Sequence, residues 1–203
     1  MIKVIIFDLG NVIVKVDKTE QFKSFSVNSD NTVSYIKEYF ENSYWRKAFE
    51  MGELKPKEFF EKTAKELNLK MDFDNFKKVW CNIFTLNKDI ENLIKDLKKR
   101  FRLILLSNTD EVHFAYIREK FKIVNAFDEQ VLSYKVGHRK PNPLIFLQAL
   151  KKANTLPFNC VYFDDIPEFI YIARLMGVRA FQYKNFERLV EDLRKVKVLT
   201  KSL

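Results

Sequence analysis

Hydrophobic positions along the chain follow two different patterns. Short continuous apolar runs occupy residues 4–7, 103–106 and 161–163, and a weaker run occupies residues 178–181. Runs of this kind are typical of strands that are buried on both faces, as in a parallel sheet. Between them, apolar residues recur at the spacing of an amphipathic helix. One such series, with Asn87 as its predicted N-cap, consists of Ile90, Leu93, Ile94 and Leu97.

Strands that alternate with helices predict an α/β fold with a doubly wound, Rossmann-like parallel sheet. Residues 18–86 depart from this alternation, because they show helical periodicity without convincing strands. We therefore predict an α/β core formed by residues 1–17 and 87–203. Residues 18–86 are predicted to form an inserted, all-helical cap, called the insertion below.

Composition limits the classes of protein that this chain can represent. The 203 residues are 47% hydrophobic and include 20 Phe, which suffices for a packed core and excludes a disordered chain. Two Cys residues exclude a disulfide framework and favour buried thiols in a reducing compartment. No apolar run reaches the roughly 18 residues of a membrane span. The apolar start is not followed by the small-residue cleavage site of a secretory signal. We therefore predict a cytoplasmic protein that does not bind membranes.

The net charge of +9 raises the question of a nucleic-acid partner. The basic excess is spread along the chain, and no helix-turn-helix, RNA-recognition or zinc-binding pattern accompanies it. We therefore expect no nucleic-acid partner. The sequence leaves open whether the protein is a monomer or a dimer.

Polar side chains follow three of the predicted strands. Asp8 ends the first, Ser107 and Asn108 end the second, and Asp164 and Asp165 end the third. Ligands of open α/β sheets bind at the carboxyl ends of the strands, so these residues are expected to meet. Three carboxylates that converge repel one another unless a cation is present, and oxygen ligands suit Mg²⁺. The alternative, in which each residue only caps the next helix, stays open for the stretch after Ser107.

Three further residues are candidates for ligand contact. Lys140 lies in a proline-containing loop, residues 137–143, that can direct its ammonium at an anion, although a surface lysine is the simpler alternative. His113 follows Ser107 in a predicted helix, where it either contacts substrate, acts as an acid or is simply half-buried. Arg46 follows Tyr44 and Trp45, and this group either binds a sugar or phosphate or packs within the helical bundle.

Four motifs, in this order, resemble those of the haloacid dehalogenase superfamily of phosphohydrolases. They are FDLGNVIV, LLSNT, GHRKPNPLIF and VYFDDIPEFIYIARLMGV, and the helical insertion resembles the helical cap of that family. The first motif, with SNT and the following His113, most resembles the subgroup that includes α-D-glucose-1-phosphate phosphatases.

The resemblance implies a role for each matching residue. Asp8 would be the nucleophile, and Ser107, the Asn108 backbone and Lys140 would bind the phosphoryl group. Mg²⁺ would be held by Asp8, the Gly10 carbonyl, Asp165 and Asp164. The implied activity is Mg²⁺-dependent hydrolysis of a small phosphorylated metabolite, such as a sugar phosphate, through an aspartyl-phosphate.

Two departures from the family pattern bear on activity. Gly10 stands where the family usually has a second Asp that protonates the leaving group. Phe169 stands where many relatives have Asn or Asp, and we expect it neither to ligate metal nor to orient Lys140. Slow turnover is therefore expected.

Two alternatives remain at this point. A metal-independent 2-haloacid dehalogenase needs no second Asp, although the acidic pair Asp164 and Asp165 argues against it. A catalytically impaired phosphate-binding or interaction protein of the same fold is the other alternative.

Overall fold

The computed structural model describes residues 1–200 and contains a five-stranded, fully parallel sheet in the order β5-β4-β1-β6-β7. A separate antiparallel ribbon pairs β2 with β3. The strands are β1 (Val4–Phe7), β2 (Val14–Val16), β3 (Phe84–Leu86), β4 (Arg102–Ser107), β5 (Glu129–Leu132), β6 (Cys160–Asp164) and β7 (Arg179–Gln182).

Helices connect these strands and cover both faces of the sheet. Two short 3-10 helices span Lys122–Ala126 and Pro157–Asn159. The α-helices are α1 (Thr19–Val27), α2 (Val33–Asn42), α3 (Tyr44–Glu50), α4 (Pro56–Leu67), α5 (Phe73–Cys81), α6 (Lys88–Lys98), α7 (Glu111–Lys120), α8 (Ser133–Val136), α9 (Pro143–Ala153), α10 (Pro167–Leu175) and α11 (Phe186–Lys195).

Alternate residues of the central strand pack into two different cores. Ile5 and Phe7 of β1 join the core formed with α6, α7 and α11, whereas Val4 and Ile6 join the core formed with α9 and α10. This division follows from the two-residue side-chain period of a strand. The doubly wound parallel core predicted from the apolar runs is confirmed.

Three local expectations need correction. The insertion, predicted to be all-helical over residues 18–86, ends in the strand β3, which pairs with β2. The strand β5 was not predicted, because it begins with Glu129 and Gln130 and lies at the sheet edge, where only its last two residues are buried. Asn87 does precede α6, but its side chain does not cap the helix. Its Nδ2 instead donates to the carbonyl of Val12 and to the hydroxyl of Tyr183.

The helices α1 to α5 lie between the two strands of the short ribbon, so the chain leaves and re-enters the core at one place. They enclose their own aromatic core. Burial of such large side chains is the main driving force for this small bundle to fold. The buried members of that core are Phe22, Phe25, Ile36, Phe40, Phe49, Phe59, Leu67, Phe76 and Trp80.

The insertion contacts the core at two further places. Trp80 of α5 stacks on His113 of α7, with ring centroids 4.7 Å apart. On the other side, the chain at Gly52 adopts φ +75° and approaches α8 so closely that a Cβ there would lie 2.1 Å from the carbonyl oxygen of Tyr134. Only glycine fits this approach. Within the described residues, no helix has the length and apolarity to cross a bilayer.

Candidate active site

The sheet brings the predicted polar residues together at the ends of its central strands. Phe7 of β1 is in register with Leu105 of β4 and with Phe163 of β6. Asp8 follows directly, and its amide donates to the carbonyl of Phe163 over 2.9 Å. Asp8 therefore lies between the end of β4, which carries Ser107, and the end of β6.

Lys140 is buried at the centre of this cluster, with 1% of its side chain exposed. Its Nζ lies 2.6 Å from Oδ1 of Asp8 and 2.5 Å from Oδ2 of Asp164. The same ammonium donates to the carbonyl of Leu106 and to the hydroxyl of Tyr162. Tyr162 in turn donates to Asp164. One lysine thus serves two buried carboxylates, which is a charge imbalance that favours a further cation.

Burial and these neighbours determine the protonation of the cluster. Burial raises the pKa of Asp8 to about 7, although the attraction of Lys140 opposes the rise. Burial alone would lower the pKa of Lys140, but Asp8 and Asp164 outweigh it and hold that pKa above its usual value. The lysine therefore stays charged, and Asp8 takes up a proton near neutral pH when no other cation is present.

Asp165 occupies a more open position than Asp164. Its Oδ2 accepts a hydrogen bond from Nδ2 of Asn11 over 3.0 Å, and burial raises its pKa. Asn11 adopts φ +54° in the tight turn after β1, a conformation that asparagine tolerates better than most residues. The turn after Asp8 thus holds Asp165 towards the same space.

A reciprocal pair of hydrogen bonds attaches the loop after β4 to the Lys140 backbone. Oδ1 of Asn108 accepts from the amide of Lys140 over 2.7 Å, and its Nδ2 donates to the carbonyl of Lys140 over 2.9 Å. Thr109 and Ser133 form a second reciprocal pair nearby. Because both polar atoms of its side chain are used in this pair, Asn108 can contact a ligand through its backbone.

The three acidic residues meet the geometric requirement for a metal site. Asp8, Asp164 and Asp165 each offer a carboxylate oxygen, and these atoms all lie within 4.8 Å of one another. Carboxylate oxygens are the ligands that hard divalent cations prefer. The donor set and the excess of buried negative charge both fit Mg²⁺.

A cavity of about 520 Å³ opens above this cluster. The core contributes Asp8, Gly10, Ser107, Asn108, Lys140 and Asp165 to its lining, and the insertion contributes Lys18, Gln21, Phe40, Arg46, Glu50 and Trp80. The volume lies within the usual range for small-molecule sites. The insertion therefore lies over the strand ends that carry the acidic cluster.

Both ring nitrogens of His113 are already engaged, although its side chain lines the cavity. Nδ1 lies 2.8 Å from Oδ2 of Asp110, and Nε2 lies 2.8 Å from the carbonyl oxygen of Trp80. The indole of Trp80 also donates to Asp110. In this arrangement His113 joins α5 to α7 and has no free nitrogen for a substrate or a leaving group.

Arg46 is the member of the predicted aromatic–arginine group that reaches the cavity. Tyr44 is exposed, and Trp45 donates its indole N–H to Glu66 away from the cavity lining. Arg46 instead pairs with Glu50 over 2.6 Å. The group thus divides between bundle packing and the cavity wall.

The expectation for Phe169 needs correction. Its ring lies 5.1 Å from Nζ of Lys140, so it contacts the ammonium through its aromatic face. A cation–π contact of this kind positions a lysine without a hydrogen bond. The polar contact that Asn or Asp at this position would offer Lys140 comes instead from the hydroxyl of Tyr162, a residue of the otherwise apolar strand β6.

The motif resemblance is confirmed by a family model for haloacid dehalogenase-like hydrolases, which matches residues 2–177. The chain therefore belongs to this family of hydrolases.

Two curated relatives are phosphatases by name. The D-ribitol-5-phosphate phosphatase of Bacteroides thetaiotaomicron is 28% identical over 194 residues, which cover 91% of this chain and 93% of that protein. The phosphorylated carbohydrates phosphatase of Thermotoga maritima is 26% identical over 121 residues, or 55% of this chain and 56% of that protein.

A solved structure supports the fold. A haloacid dehalogenase (HAD) family enzyme from B. thetaiotaomicron, crystallised with magnesium and inorganic phosphate, superposes on this chain with a TM-score of 0.84 at 22% identity. The match covers 93% of this chain and 99% of that one.

Proposed function

We propose that the protein is a Mg²⁺-dependent phosphatase that hydrolyses a small phosphorylated sugar or polyol through attack by Asp8. The observation that carries this proposal is the buried cluster in which Lys140 contacts both Asp8 and Asp164 beside Asp165. The phosphatase names of the relatives support the same reaction class.

The carboxylates divide between two tasks in this proposal. Both oxygens of Asp164 have protein partners, namely Lys140 and Tyr162 on one oxygen and the amide of Ile166 on the other. Asp8 and Asp165, with the Gly10 carbonyl, are therefore the direct ligands that we assign, and Asp164 contributes charge and holds Lys140. Bound Mg²⁺ would supply positive charge to the phosphoryl oxygens.

Asp8 acts on the phosphorus atom. An ionised carboxylate oxygen forms a bond to phosphorus while the bond from phosphorus to the leaving oxygen breaks, which gives an aspartyl-phosphate. Lys140, the hydroxyl of Ser107 and the backbone N–H of Asn108 donate to the phosphoryl oxygens, over which negative charge spreads during transfer. Water then attacks phosphorus, releases phosphate and restores the Asp8 carboxylate.

Protonation of the leaving oxygen is the step for which this chain lacks a side chain at position 10. His113 is paired on both ring nitrogens, so it does not replace the missing acid in this conformation. The proton then comes from water, and turnover depends on how readily the leaving group departs. This accounts for the slow turnover that we expect with unactivated substrates.

The dehalogenase alternative would place Asp8, Asp164 and Asp165 together without a metal, with Lys140 as the balancing charge in contact with two of them. A nucleophilic Asp8 must be ionised, and this arrangement disfavours that form. Burial already raises the pKa of Asp8 to about 7. The impaired-protein alternative differs from our proposal only in turnover. Activity measurements therefore separate all three.

The test compares wild type with Asp8→Asn on p-nitrophenyl phosphate, D-ribitol 5-phosphate and 2-chloropropionate, each with Mg²⁺ and with EDTA. We expect phosphate release with Mg²⁺ only, and its loss in Asp8→Asn. Asp96→Asn, at an exposed carboxylate on α6, is the matched control and should retain wild-type rates. Chloride release in EDTA would establish the dehalogenase, and a folded protein that binds phosphate without turnover would establish the impaired form.

A further inference from the structure

Tyr162 places a hydroxyl in the middle of an otherwise apolar core. The residue lies on β6, in register with Ile6 of β1 and Ala180 of β7, and it is 1% exposed. Its ring packs edge-to-face on Phe146 of α9, with the centroids 5.8 Å apart. Within the described residues, the other buried members of this core are aliphatic or aromatic, apart from the thiol of Cys160. A phenylalanine would fill the same space without the cost of burying a hydroxyl.

Both partners of this hydroxyl belong to the reaction centre. Tyr162 and Asp164 are two residues apart on one strand, so their side chains leave the same face of the sheet. The hydroxyl donates to Oδ2 of Asp164 and accepts from Nζ of Lys140 over 3.1 Å. Because Asp164 is fully buried, its oxygens need donors from the protein. Oδ1 has the amide of Ile166, and Oδ2 has Tyr162 and Lys140.

The ammonium of Lys140 has fewer donors than neighbours. Four oxygens lie within hydrogen-bond distance of Nζ, and they belong to Asp8, Asp164, Leu106 and Tyr162. An ammonium has three N–H groups, so these oxygens compete for them. A phosphoryl group bound beside Asp8 adds a further acceptor to the competition. The ammonium serves this group well only if the other oxygens hold it loosely.

Transfer of the phosphoryl group moves negative charge away from Asp8, and the ammonium of Lys140 has to follow that charge. Asp164 opposes the shift, because its buried carboxylate attracts the same ammonium over 2.5 Å. The Tyr162 hydroxyl donates to Oδ2 of Asp164, the oxygen that Lys140 contacts. It therefore keeps this oxygen hydrogen-bonded when the ammonium turns towards the phosphoryl group. Without the hydroxyl, Oδ2 would depend on Lys140 alone.

Resting on the phosphatase activity proposed above, we infer that Tyr162 is a positioning residue, which holds Asp164 so that Lys140 can turn to the phosphoryl group in the transition state. Tyr162 is not among the described residues that line the cavity, so it acts through its two partners. The alternative is a purely structural role, in which the buried hydroxyl only finds its own hydrogen bonds. Under that alternative, loss of the hydroxyl changes stability and leaves turnover unchanged.

The experiment compares Tyr162→Phe with wild type on p-nitrophenyl phosphate with Mg²⁺. We expect kcat to fall by about tenfold or more, with KM within about threefold of wild type, because the lost interaction belongs to the transition state. Tyr183→Phe is the matched control. It removes a hydroxyl that accepts from Asn87, away from the cavity lining, and kcat should stay within about twofold of wild type.

Vanadate supplies a readout that needs no turnover. It takes up the five-coordinate geometry of phosphoryl transfer, whereas inorganic phosphate stays tetrahedral like the substrate. In calorimetry with Mg²⁺, we expect the Kd of vanadate to rise about tenfold in Tyr162→Phe and the Kd of phosphate to change less than about threefold. In Asp164→Asn the carboxylate is gone, so adding Tyr162→Phe should change the vanadate Kd less than about threefold.

Unchanged kcat and vanadate Kd in Tyr162→Phe, with a lower Tm alone, would overturn the inference in favour of the structural role. Equal effects of Tyr162→Phe in wild type and in Asp164→Asn would also overturn it, because the hydroxyl would then act by another route. Failure of the proposed function is distinguishable, because wild type would then not turn over p-nitrophenyl phosphate. The vanadate Kd values would still test the inference, and a wild type that binds no vanadate would overturn it.

Discussion

Restoring a carboxyl group at position 10 tests how this enzyme handles its leaving group. Gly10 lines the cavity beside Asp8, at the place where the family usually carries its second Asp. A Cβ added there would lie 3.6 Å from Cγ2 of Val16 and 3.9 Å from Oδ2 of Asp8, which are ordinary van der Waals distances. We therefore expect Gly10→Asp to fold without strain.

The magnitude follows from the value of general acid catalysis, which is about 10²–10⁴-fold. A new carboxyl group this close to Asp8 has its pKa raised by the neighbouring negative charge, which favours the protonated form that an acid needs. D-ribitol 5-phosphate has a poor leaving group, the ribitol alkoxide. We expect kcat/KM for this substrate to rise by about 10²-fold. The rate with p-nitrophenyl phosphate should change less than about threefold, because its leaving group needs no proton.

The assay is kcat/KM for Gly10→Asp, Gly10→Asn and wild type across phosphate esters of graded leaving-group pKa. Gly10→Asn is the matched control, since it has the same shape but cannot donate an acidic proton. An equal gain in both variants would refute the reasoning, because the gain would then come from shape. A wild-type rate independent of the leaving group, with chemistry limiting, would show that another residue already supplies the proton.

Three further predictions concern stability and reactivity. The pKa of Asp8 is about 7 in the folded protein against a usual value of 3.8. Between these pH values the folded, metal-free protein binds more protons than the unfolded chain, so its free energy of unfolding should fall as pH rises through that window. Asp8→Asn should remove the effect and stabilise the protein by up to about 4 kcal/mol at pH 8 in urea titrations. Lys140→Met should destabilise it by about 3–5 kcal/mol, because two buried carboxylates lose their partner, and adding Asp8→Asn should recover part of this loss. Burial raises the pKa of Cys81 to about 12 and that of Cys160 to about 11, so iodoacetamide at pH 8 should alkylate them, by mass spectrometry, only after unfolding.

The sequence predicts the interior of this fold better than its edge. Strands β1, β4 and β6 are continuous apolar runs because helices cover both of their faces, and that pattern is visible without a structure. The edge strand β5 begins with Glu129, which pairs with Arg102 and Lys152, and so it carries no such pattern. The ribbon of β2 and β3 has three residues in each strand, too few to show a period.

The candidate site divides in the same way. Asp8, Ser107 and the acidic pair could be predicted to meet because they follow parallel strands, whose ends lie at one edge. The contacts of Lys140 with Tyr162 and Phe169 could not, because one is hidden in an apolar strand and the other in an apolar helix face. The pairing of Glu50 with Arg139 joins the insertion to the core, and no local pattern encodes such a contact.

Covalent trapping tests the central claim, attack by Asp8, most directly. During turnover of p-nitrophenyl phosphate with Mg²⁺, rapid acid quenching followed by borohydride reduction converts an aspartyl-phosphate into homoserine, which peptide mass spectrometry locates. Attack by Asp8 predicts homoserine at position 8 in wild type and none in Asp8→Asn. Homoserine at another aspartate would contradict attack by Asp8. So would an unmodified Asp8 peptide under conditions in which burst kinetics show that a phosphoenzyme accumulates.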